Sequence, residues 1–210
     1  MRFLDDPVCA VMGTPFAYDQ GEGILSAEAL ADPPGWDSSR AAVLFDQHSK
    51  EIVHQLKYRD RAEAGIFMAR LMTRAGAPLL READFIVPVP LHPRRLWKRR
   101  FNQAAALAQL IARPTPKKFR PDLLLRARAT AQQVGLSARE RQKNVKGAFV
   151  VPFEARAKIA GKTIVLVDDV RTTGSTLRAC TAALREAGAS RIHVLCFALV
   201  NDVRRFHIET

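Results

Sequence analysis

Two adjacent carboxylates and a cluster of hydroxyls share the stretch TIVLVDDVRTTGST, which spans residues 163–176. Asp168 and Asp169 close an apolar run, and an ionised carboxylate only accepts hydrogen bonds. The hydroxyls surround one glycine, Gly174, and belong to Thr172, Thr173, Ser175 and Thr176. Carboxylates repel phosphate but accept hydrogen bonds from sugar hydroxyls. The two halves of the stretch therefore suit different parts of one ligand.

The TTGST segment at residues 172–176 has the features of a phosphate site. If it opens a helix, its unpaired backbone N–H groups and the positive end of the helix dipole attract an anion. Gly174 would also let the ligand approach the backbone closely. A ribose that carries a 5-phosphate and free 2- and 3-hydroxyls would satisfy both halves of the stretch.

A P-loop is the competing phosphate motif, and the letters AGKT at residues 160–163 suggest one. The earlier glycine that a P-loop requires is replaced by Arg156 in this chain. The segment also precedes a strand, whereas a P-loop follows one. These two departures exclude a P-loop.

The elements that would position this stretch alternate between strands and helices. Apolar runs predict strands at residues 41–46, 85–90, 122–127, 163–169 and 191–200. Helical patterns begin near Ser49, cover 62–74, follow the N-cap residue Asn102 and end at Gly188. Such alternation predicts an α/β fold with a mostly parallel sheet flanked by helices. The ligand crevice of such a sheet lies beyond the carboxyl ends of its strands, where Asp168 and Asp169 fall.

The composition is typical of a soluble globular protein. The chain has 210 residues, 48% apolar and 26% charged, which predicts one sizeable domain with an appendage. No apolar run approaches the roughly 20 residues of a membrane span, and the acidic N-terminus does not predict a signal peptide. Cys9, Cys180 and Cys196 lie far apart in the sequence and suggest no disulfide framework. We therefore expect a cytoplasmic protein without a membrane span.

Positive charge is in excess along the chain. Thirty-three Lys and Arg residues stand against 21 Asp and Glu residues, giving a formal net charge of +12. Such a surface attracts phosphorylated small molecules and nucleic acids alike, and the same charge could serve solubility alone. Two segments concentrate the cations, at residues 91–101 and 113–147. The second is long and polar, so we expect an active-site loop there.

Three stretches of the chain resemble one known family. VLVDDVRTTGST at residues 165–176 closely resembles the signature with which type I phosphoribosyltransferases bind 5-phosphoribosyl 1-diphosphate (PRPP). VPVPLHPRRLWKRRFNQAAALA at 87–108 and RARATAQQVGLSARERQKNVKGAF at 126–149 add to the likeness. Together they resemble the ComF family, competence-associated proteins with a phosphoribosyltransferase domain. The resemblance covers most of the chain from about residue 41 onward and implies a type I phosphoribosyltransferase fold.

The resemblance divides the chain into an N-terminal module at residues 1–40 and a phosphoribosyltransferase-like domain at 41–210. Many members of the family begin with a zinc ribbon that carries two CxxC pairs. The corresponding positions here are Cys9, Met12, Ser26 and Ala29. Ser and Ala cannot replace a thiolate at structural zinc, and Met is a weak neutral donor. We therefore expect a degenerate zinc-ribbon-like module that binds no zinc.

The resemblance also implies roles for individual residues. Asp168 and Asp169 would bind the ribose hydroxyls of PRPP and serve in catalysis, and Mg²⁺ would bridge pyrophosphate and ribose oxygens. The PRPP-binding set is Asp168, Asp169, Arg171, Thr172, Thr173, Gly174, Ser175 and Thr176. The pyrophosphate loop is represented by Leu91, His92, Pro93, Arg94 and Arg95. The flexible loop that would close over the site is represented by Arg126, Arg128, Arg139, Arg141 and Asn144.

The basic segments are compatible with several roles, among which the residues do not decide. Five of the seven residues at 94–100 are cations, which suits a pyrophosphate leaving group, a solvated basic face or a grip on nucleic acid phosphates. His92 could donate to an oxygen anion or be incidental in its loop. The cations of the flexible loop are equally compatible with an exposed surface loop.

Two functions of different classes follow. The first is an enzyme of nucleotide metabolism that transfers a phosphoribosyl group from PRPP to an unknown acceptor and releases pyrophosphate. The alternative is a non-enzymatic accessory of DNA uptake that handles single-stranded DNA and keeps the PRPP-type site as a regulatory or vestigial feature. Tyr58, Trp97 and Phe101 stand among cations, as stacking platforms for single strands do. The oligomeric state is left open, a homo-oligomer included.

Overall fold

The computed structural model describes residues 1–18, 21, 23–56, 62–91, 101–128, 145 and 147–201. Five strands of the described residues form one sheet: β1 (Ser38–Leu44), β2 (Phe85–Pro88), β3 (Lys118–Phe119), β6 (Thr163–Arg171) and β7 (Arg191–Leu199). All neighbours are parallel, in the order β1, β7, β6, β2, β3. Two further strands, β4 (Leu125–Arg126) and β5 (Phe149–Val150), form a separate antiparallel pair.

Helices lie between the strands along the chain. They are α1 (Ala27–Ala31), α2 (Gln47–Leu56), α3 (Ala62–Ala75), α4 (Ala77–Glu82), α5 (Gln103–Ala112), α6 (Phe153–Ile159) and α7 (Ser175–Glu186). The mostly parallel sheet flanked by helices confirms the predicted α/β class and matches the type I phosphoribosyltransferase fold. Among the residues described here, no helix is both long and apolar enough to cross a membrane.

The sheet separates two hydrophobic clusters, because successive side chains of a strand point to opposite faces. Ile164 and Leu166 of β6 belong to the first cluster, whereas Val165 and Val167 belong to the second. Helices α6 and α7 supply buried residues to the first cluster, and α2, α3 and α4 supply them to the second. All four of these β6 side chains are fully buried. β6 is therefore a central strand that is covered on both faces.

The N-terminal segment packs against both the edge and one face of the sheet. Phe3 pairs antiparallel with Val43, which covers the outer edge of β1. Four later residues of the segment are buried in the first hydrophobic cluster: Cys9, Met12, Ala29 and Trp36. The expected module boundary at residue 40 falls inside β1, and the division into two domains stays a prediction.

Local hydrogen bonds fix the starts of two helices. The side chain of Asn102 accepts the N–H of Ala105 at 3.3 Å, which confirms Asn102 as the N-cap of α5. At the start of α2, the N–H of Asp46 donates to Oγ of Ser49 and the N–H of Ser49 donates to Oδ1 of Asp46, both at 2.8 Å. This reciprocal arrangement satisfies two donors that the first turn leaves unpaired.

The sequence patterns do not predict three short elements. α4 carries Pro78 in its first turn, where proline is tolerated, although the pattern only indicates a helix end there. β3 lies within residues 113–147 and pairs with β2 over two residues. α6 has seven residues. Elements this short contain too few periodic positions to be recognised in a sequence.

Candidate functional site

The carboxyl ends of the parallel strands meet at one edge of the sheet, and Asp168 lies there. It stands opposite Cys196 of β7, and the preceding residue Val167 stands opposite Pro88 at the end of β2. The N–H of Val89 donates to the carbonyl of Val167 at 2.9 Å, so the chain leaves β2 beside Asp168. Open α/β sheets bind their ligands at this edge.

The two carboxylates lie where the alternation of β6 changes. Val165 and Val167 face the second cluster, but Val170 instead of Asp169 is the next residue to pack against it. Asp169 donates its N–H to Oδ1 of Asp168 at 3.0 Å, and Val170 donates its N–H to Oδ1 of Asp169 at 2.8 Å. Both carboxylates are half-buried, so they are oriented by the backbone and still accessible to a ligand.

Burial and the neighbouring carboxylate disfavour the charged form of Asp168. Burial, together with the negative charge of Asp169, raises the pKa of Asp168 well above its usual value. The positive charge of Arg126 acts in the opposite direction on the same pKa. A ligand that brings a cation or hydroxyl donors would stabilise the ionised carboxylates.

Arg126 is the flexible-loop candidate whose positive charge acts on Asp168. It lies in β4 and is buried, with its guanidinium carbon 5.2 Å from the ring centroid of Phe149 in β5. An aromatic face attracts a guanidinium at this distance. Arg128 is exposed two residues further on. The other candidates of that loop lie outside the described residues: Arg139, Arg141 and Asn144.

The loop after β6 has the geometry of an anion site. Gly174 adopts a φ of +74°, and α7 begins at the next residue, which confirms that TTGST opens a helix. The hydroxyl oxygens of Thr173 and Ser175 lie 2.9 Å apart. Thr172 is exposed and Thr176 is half-buried. The N–H of Ser175 donates to Oγ1 of Thr173 at 3.5 Å, and the twelve-residue α7 directs its positive dipole end towards several hydroxyls.

Arg171, a member of the predicted PRPP-binding set, directs its side chain towards the N-terminal segment. It is 4% exposed, and burial lowers the pKa of its guanidinium. It donates to Oγ of Ser39 at 2.6 Å, and its guanidinium carbon lies 5.8 Å from the ring centroid of Trp36. The Arg171 side chain therefore faces the N-terminal segment, so any contribution to ligand binding would pass through its backbone or through these contacts.

Two residues beside this loop belong to none of the motifs that predict the site. Trp36, which precedes β1, lies so close to Gly174 that a Cβ there would be 3.1 Å from its Cη2 atom. Arg178 in the first turn of α7 places its guanidinium carbon 5.8 Å from the same ring. A tryptophan in a segment rich in Gly and Pro and a cation on a helix are ordinary features, and neither predicts a contact with the other.

Leu91 is the described member of the predicted pyrophosphate loop. It is half-buried and follows β2 at the same edge of the sheet as Asp168. Asn102 donates its side-chain N–H to the carbonyl of Val89 at 3.0 Å, which ties the two flanks of the basic segment together. The remaining members lie outside the described residues: His92, Pro93, Arg94 and Arg95.

Hydrogen bonds link the four positions that correspond to zinc ligands. Sγ of Cys9 accepts the N–H groups of Met12 at 3.4 Å and Ser26 at 3.2 Å. Burial raises the pKa of the Cys9 thiol, but hydrogen bonds from Ser26 and Met12 outweigh it and the pKa is lowered. Oγ of Ser26 accepts the N–H of Ala29 at 3.3 Å. Among the described residues, no group of three or more His, Cys, Asp or Glu side chains could hold a metal ion.

Comparisons with known proteins agree with this geometry. The family model of the phosphoribosyl transferase domain matches residues 110–208, which include β6, the loop and α7. DNA utilization protein YhgH of Escherichia coli strain K12 is 32% identical over 197 residues, covering 91% of this chain and 84% of that protein. Competence protein F of Haemophilus influenzae is 29% identical over 193 residues, covering 90% and 82%. Competence protein ComFC of Bacillus subtilis is 27% identical over 166 residues, covering 78% and 64%.

The fold and these similarities indicate the same protein family. The sheet, the carboxylates at its edge and the helix that Gly174 opens match the phosphoribosyltransferase signature of the sequence. The relatives share the likeness over most of this chain. The chain belongs to the ComF family, competence-associated proteins with a phosphoribosyltransferase domain.

Proposed function

We propose that this protein binds PRPP together with magnesium at the loop between β6 and α7 and transfers the phosphoribosyl group to an acceptor. The supporting observation is that Asp168, Asp169 and Gly174 belong to one strand–loop–helix unit at the carboxyl edge of the sheet. The carboxylates suit the ribose hydroxyls, and the start of α7 suits the 5-phosphate.

The residues of the chain would act by positioning and by electrostatic stabilisation. The bond between the anomeric carbon and pyrophosphate breaks, and its electron pair leaves with pyrophosphate. Positive charge develops on the ribose, and the adjacent Asp168 and Asp169 favour it. An acceptor such as ammonia, an amine or a base then forms the new bond to the anomeric carbon and loses a proton.

Magnesium fits this site as a companion of the substrate. The ion usually keeps several waters and binds through one or two carboxylates plus substrate phosphates. Asp168 and Asp169 supply two half-buried carboxylates and need no third protein ligand in that arrangement. When bound, magnesium would neutralise the pyrophosphate leaving group.

Calorimetric titration with PRPP and magnesium tests the proposed binding. The parent protein should bind, and the Asp168→Asn, Asp169→Asn double variant should lose at least tenfold in affinity, since about 1.4 kcal/mol corresponds to tenfold. A matched control is the Asp5→Asn, Asp6→Asn variant, because it removes the same charge from a second adjacent aspartate pair, and that pair is exposed. Equal binding by the parent and the Asp168 and Asp169 variant would remove these carboxylates from the site.

Release of pyrophosphate tests the proposed transfer. The parent protein should release pyrophosphate from PRPP faster when ammonia, an amine or a base that acts as acceptor is added. The Asp168→Asn, Asp169→Asn variant should show no such increase in pyrophosphate release. Binding of PRPP without acceptor-dependent release from any of these classes would overturn the transfer step and leave a binding protein.

A second function, handling of single-stranded DNA, is favoured by the net charge of +12 and by the names of the relatives, DNA utilization protein and competence protein. A single-stranded oligonucleotide should then bind more weakly as salt rises. Neutralising Arg94, Arg95, Lys98 and Arg99 together should reduce the salt dependence. An unchanged salt dependence would rule out that basic segment as the DNA contact.

A further inference from the structure

The N-terminal segment contacts the phosphate-binding loop through Trp36. This side chain is 4% exposed, and its Nε1–H donates to the carbonyl of Val11 at 2.9 Å. Its ring lies directly against the backbone at Gly174, where a Cβ would approach Cη2 to 3.1 Å. The Trp36 side chain is therefore held by its own segment and packs against the loop at Gly174.

Two guanidinium groups contact the same ring from the two flanks of the loop. Arg171 is the last residue of β6 and Arg178 lies in the first turn of α7, and each guanidinium carbon is 5.8 Å from the Trp36 ring centroid. Cation–π attraction therefore joins Trp36 to the residues that precede and follow the loop. Trp36 therefore contacts the loop at Gly174 and also contacts the residues on either side of it, Arg171 and Arg178.

The N-terminal segment also holds both guanidinium groups directly. Arg171 donates to Oγ of Ser39 at 2.6 Å, and that hydroxyl donates to the carbonyl of Met12 at 3.2 Å. Arg178 binds the carboxylate of Asp32 at 2.9 Å and 3.4 Å, and it also donates to the carbonyls of Asp32 and Pro33 at 3.0 Å and 2.8 Å. Both contact sets belong to residues that precede β1 or begin it.

We propose that the N-terminal segment holds the loop at residues 172–176 in its anion-binding shape, with Trp36 and Arg178 as positioning residues for the 5-phosphate. A loop that is ordered before binding loses less conformational entropy when the ligand arrives, so it binds more tightly. This inference rests on the proposed function for its ligand. The ordering of the loop itself does not depend on any ligand.

Hydrogen–deuterium exchange of the ligand-free protein is the first test. Trp36→Ala and Arg178→Gln should each speed exchange in the peptide that covers residues 172–178, while peptides from β2 and α5 stay unchanged. Arg185→Gln is the matched control, because Arg185 binds Asp37 of the same N-terminal segment from the other end of α7. Tyr18→Ala is a second control, since Tyr18 is 70% exposed in that segment.

Affinity for ribose 5-phosphate is the second test. Trp36→Ala and Arg178→Gln should weaken binding about tenfold, the loss expected when about 1.4 kcal/mol of cation–π and ordering energy disappears. Trp36→Phe, which keeps an aromatic face, should recover most of the affinity. The Arg185→Gln control should bind as the parent does, even where its midpoint of thermal unfolding falls by as much as that of Arg178→Gln.

The outcomes separate this inference from the proposed function. A parent protein that does not bind ribose 5-phosphate or PRPP refutes the proposed function, and the exchange experiment still decides whether Trp36 and Arg178 order the loop. Unchanged exchange at residues 172–178 in both Trp36→Ala and Arg178→Gln overturns the inference. So does an affinity loss that follows unfolding midpoint across all variants, Arg185→Gln included, because it would reflect overall stability alone.

Discussion

At the scale of single residues, Asp168 lowers the stability of the ligand-free protein while supplying a carboxylate for the proposed ligand. Its carboxylate is oriented by the N–H of Asp169 and lies next to a second carboxylate. Burial and that neighbour raise its pKa, so the ionised form is less favourable in the folded chain than in the unfolded chain. A group with a raised pKa contributes stability below its unfolded pKa and loses it as pH rises through the folded pKa. Asp168 therefore destabilises the ligand-free protein at neutral pH.

Replacing Asp168 with Asn should stabilise the ligand-free protein at neutral pH by about 1 kcal/mol, a usual gain when a strained functional residue is removed. The Asn side chain keeps an oxygen that can accept the N–H of Asp169. The gain should shrink as pH falls through the raised pKa of folded Asp168 and vanish near pH ~4, where the unfolded chain is protonated as well. Urea unfolding at several pH values measures it, with Asp5→Asn as the exposed control. A loss of stability at pH 8 would contradict the assignment.

The contact between Gly174 and Trp36 predicts a specific sensitivity to a methyl group. Gly174→Ala places a Cβ in a left-handed backbone conformation and 3.1 Å from Cη2 of Trp36. Gly161→Ala has a similar φ of +71°, but its Cβ would meet nothing within 4 Å. The control should lose about 1 kcal/mol of stability from the backbone alone. Gly174→Ala should lose more in denaturant unfolding, and equal losses would mean that the indole ring moves aside freely.

At the scale of elements, His193 joins the start of β7 to its neighbours. Its Nδ1 lies 2.7 Å from Oγ of Ser38 in β1, and its Nε2 lies 3.5 Å from Oε2 of Glu82 in α4. Burial lowers the pKa of His193, although the charges of Glu82 and Asp37 oppose that shift while Arg191 adds to it. The neutral imidazole is therefore the form that this junction accommodates.

A buried neutral histidine predicts a loss of stability in mild acid. The unfolded chain takes up the proton at about pH 6.5, before the folded chain does, so the free energy of unfolding should begin to fall below that pH. His193→Gln should flatten the stability profile between pH 7 and pH 5. His48→Gln is the control because His48 is exposed. A parent profile as flat as that of His193→Gln would contradict the role of this junction.

In the N-terminal segment, the positions that correspond to zinc ligands are linked by hydrogen bonds. Met12, Ser26 and Ala29 are neighbours of Cys9 through the hydrogen bonds that converge on Cys9 and Ser26. Replacing these three residues with Cys should create a four-thiolate site that binds one zinc ion and raises the midpoint of thermal unfolding. Zinc should not raise the midpoint of the parent. Failure of the variant to bind zinc would show that the four positions do not converge as ligands.

The elements differ in how far the sequence predicts them. β6, α3, α5 and β7 have long apolar or periodic runs, and the structure confirms each of them. The carboxylates and the loop could be predicted to lie together as a candidate site because one continuous stretch carries them. Trp36 and Arg178 could not, because their contact joins segments far apart in sequence and depends on how the N-terminal segment packs. The short α4, α6 and β3 depend on that tertiary context as well.

At the scale of the whole molecule, the N-terminal segment shares a hydrophobic cluster with the sheet. Cys9 of that segment and Cys180 and Cys196 of α7 and β7 are all buried in the first cluster. Segments that share a core open together, whereas an independent module would open on its own at lower free energy. We therefore expect the described residues of both parts to unfold as one unit.

Thiol labelling tests this cooperativity. A variant that keeps only Cys9, with Cys180→Ala and Cys196→Ala, should react with a thiol reagent at a rate set by global unfolding. A variant that keeps only Cys180 should react at the same rate once the two are compared at equal stability. Urea should accelerate both equally. Faster labelling of Cys9 would show that residues 1–40 open separately, as a distinct domain would.

The position of Trp36 has an optical consequence. An indole that contacts a loop and two cations changes its emission when an anion settles on that loop. Trp97 is the second of the chain's two tryptophans, so Trp97→Phe leaves Trp36 as the sole indole fluorophore. Such a variant would carry its own reporter at the proposed sugar-phosphate site, and libraries of amines and bases could be screened against it without any added dye.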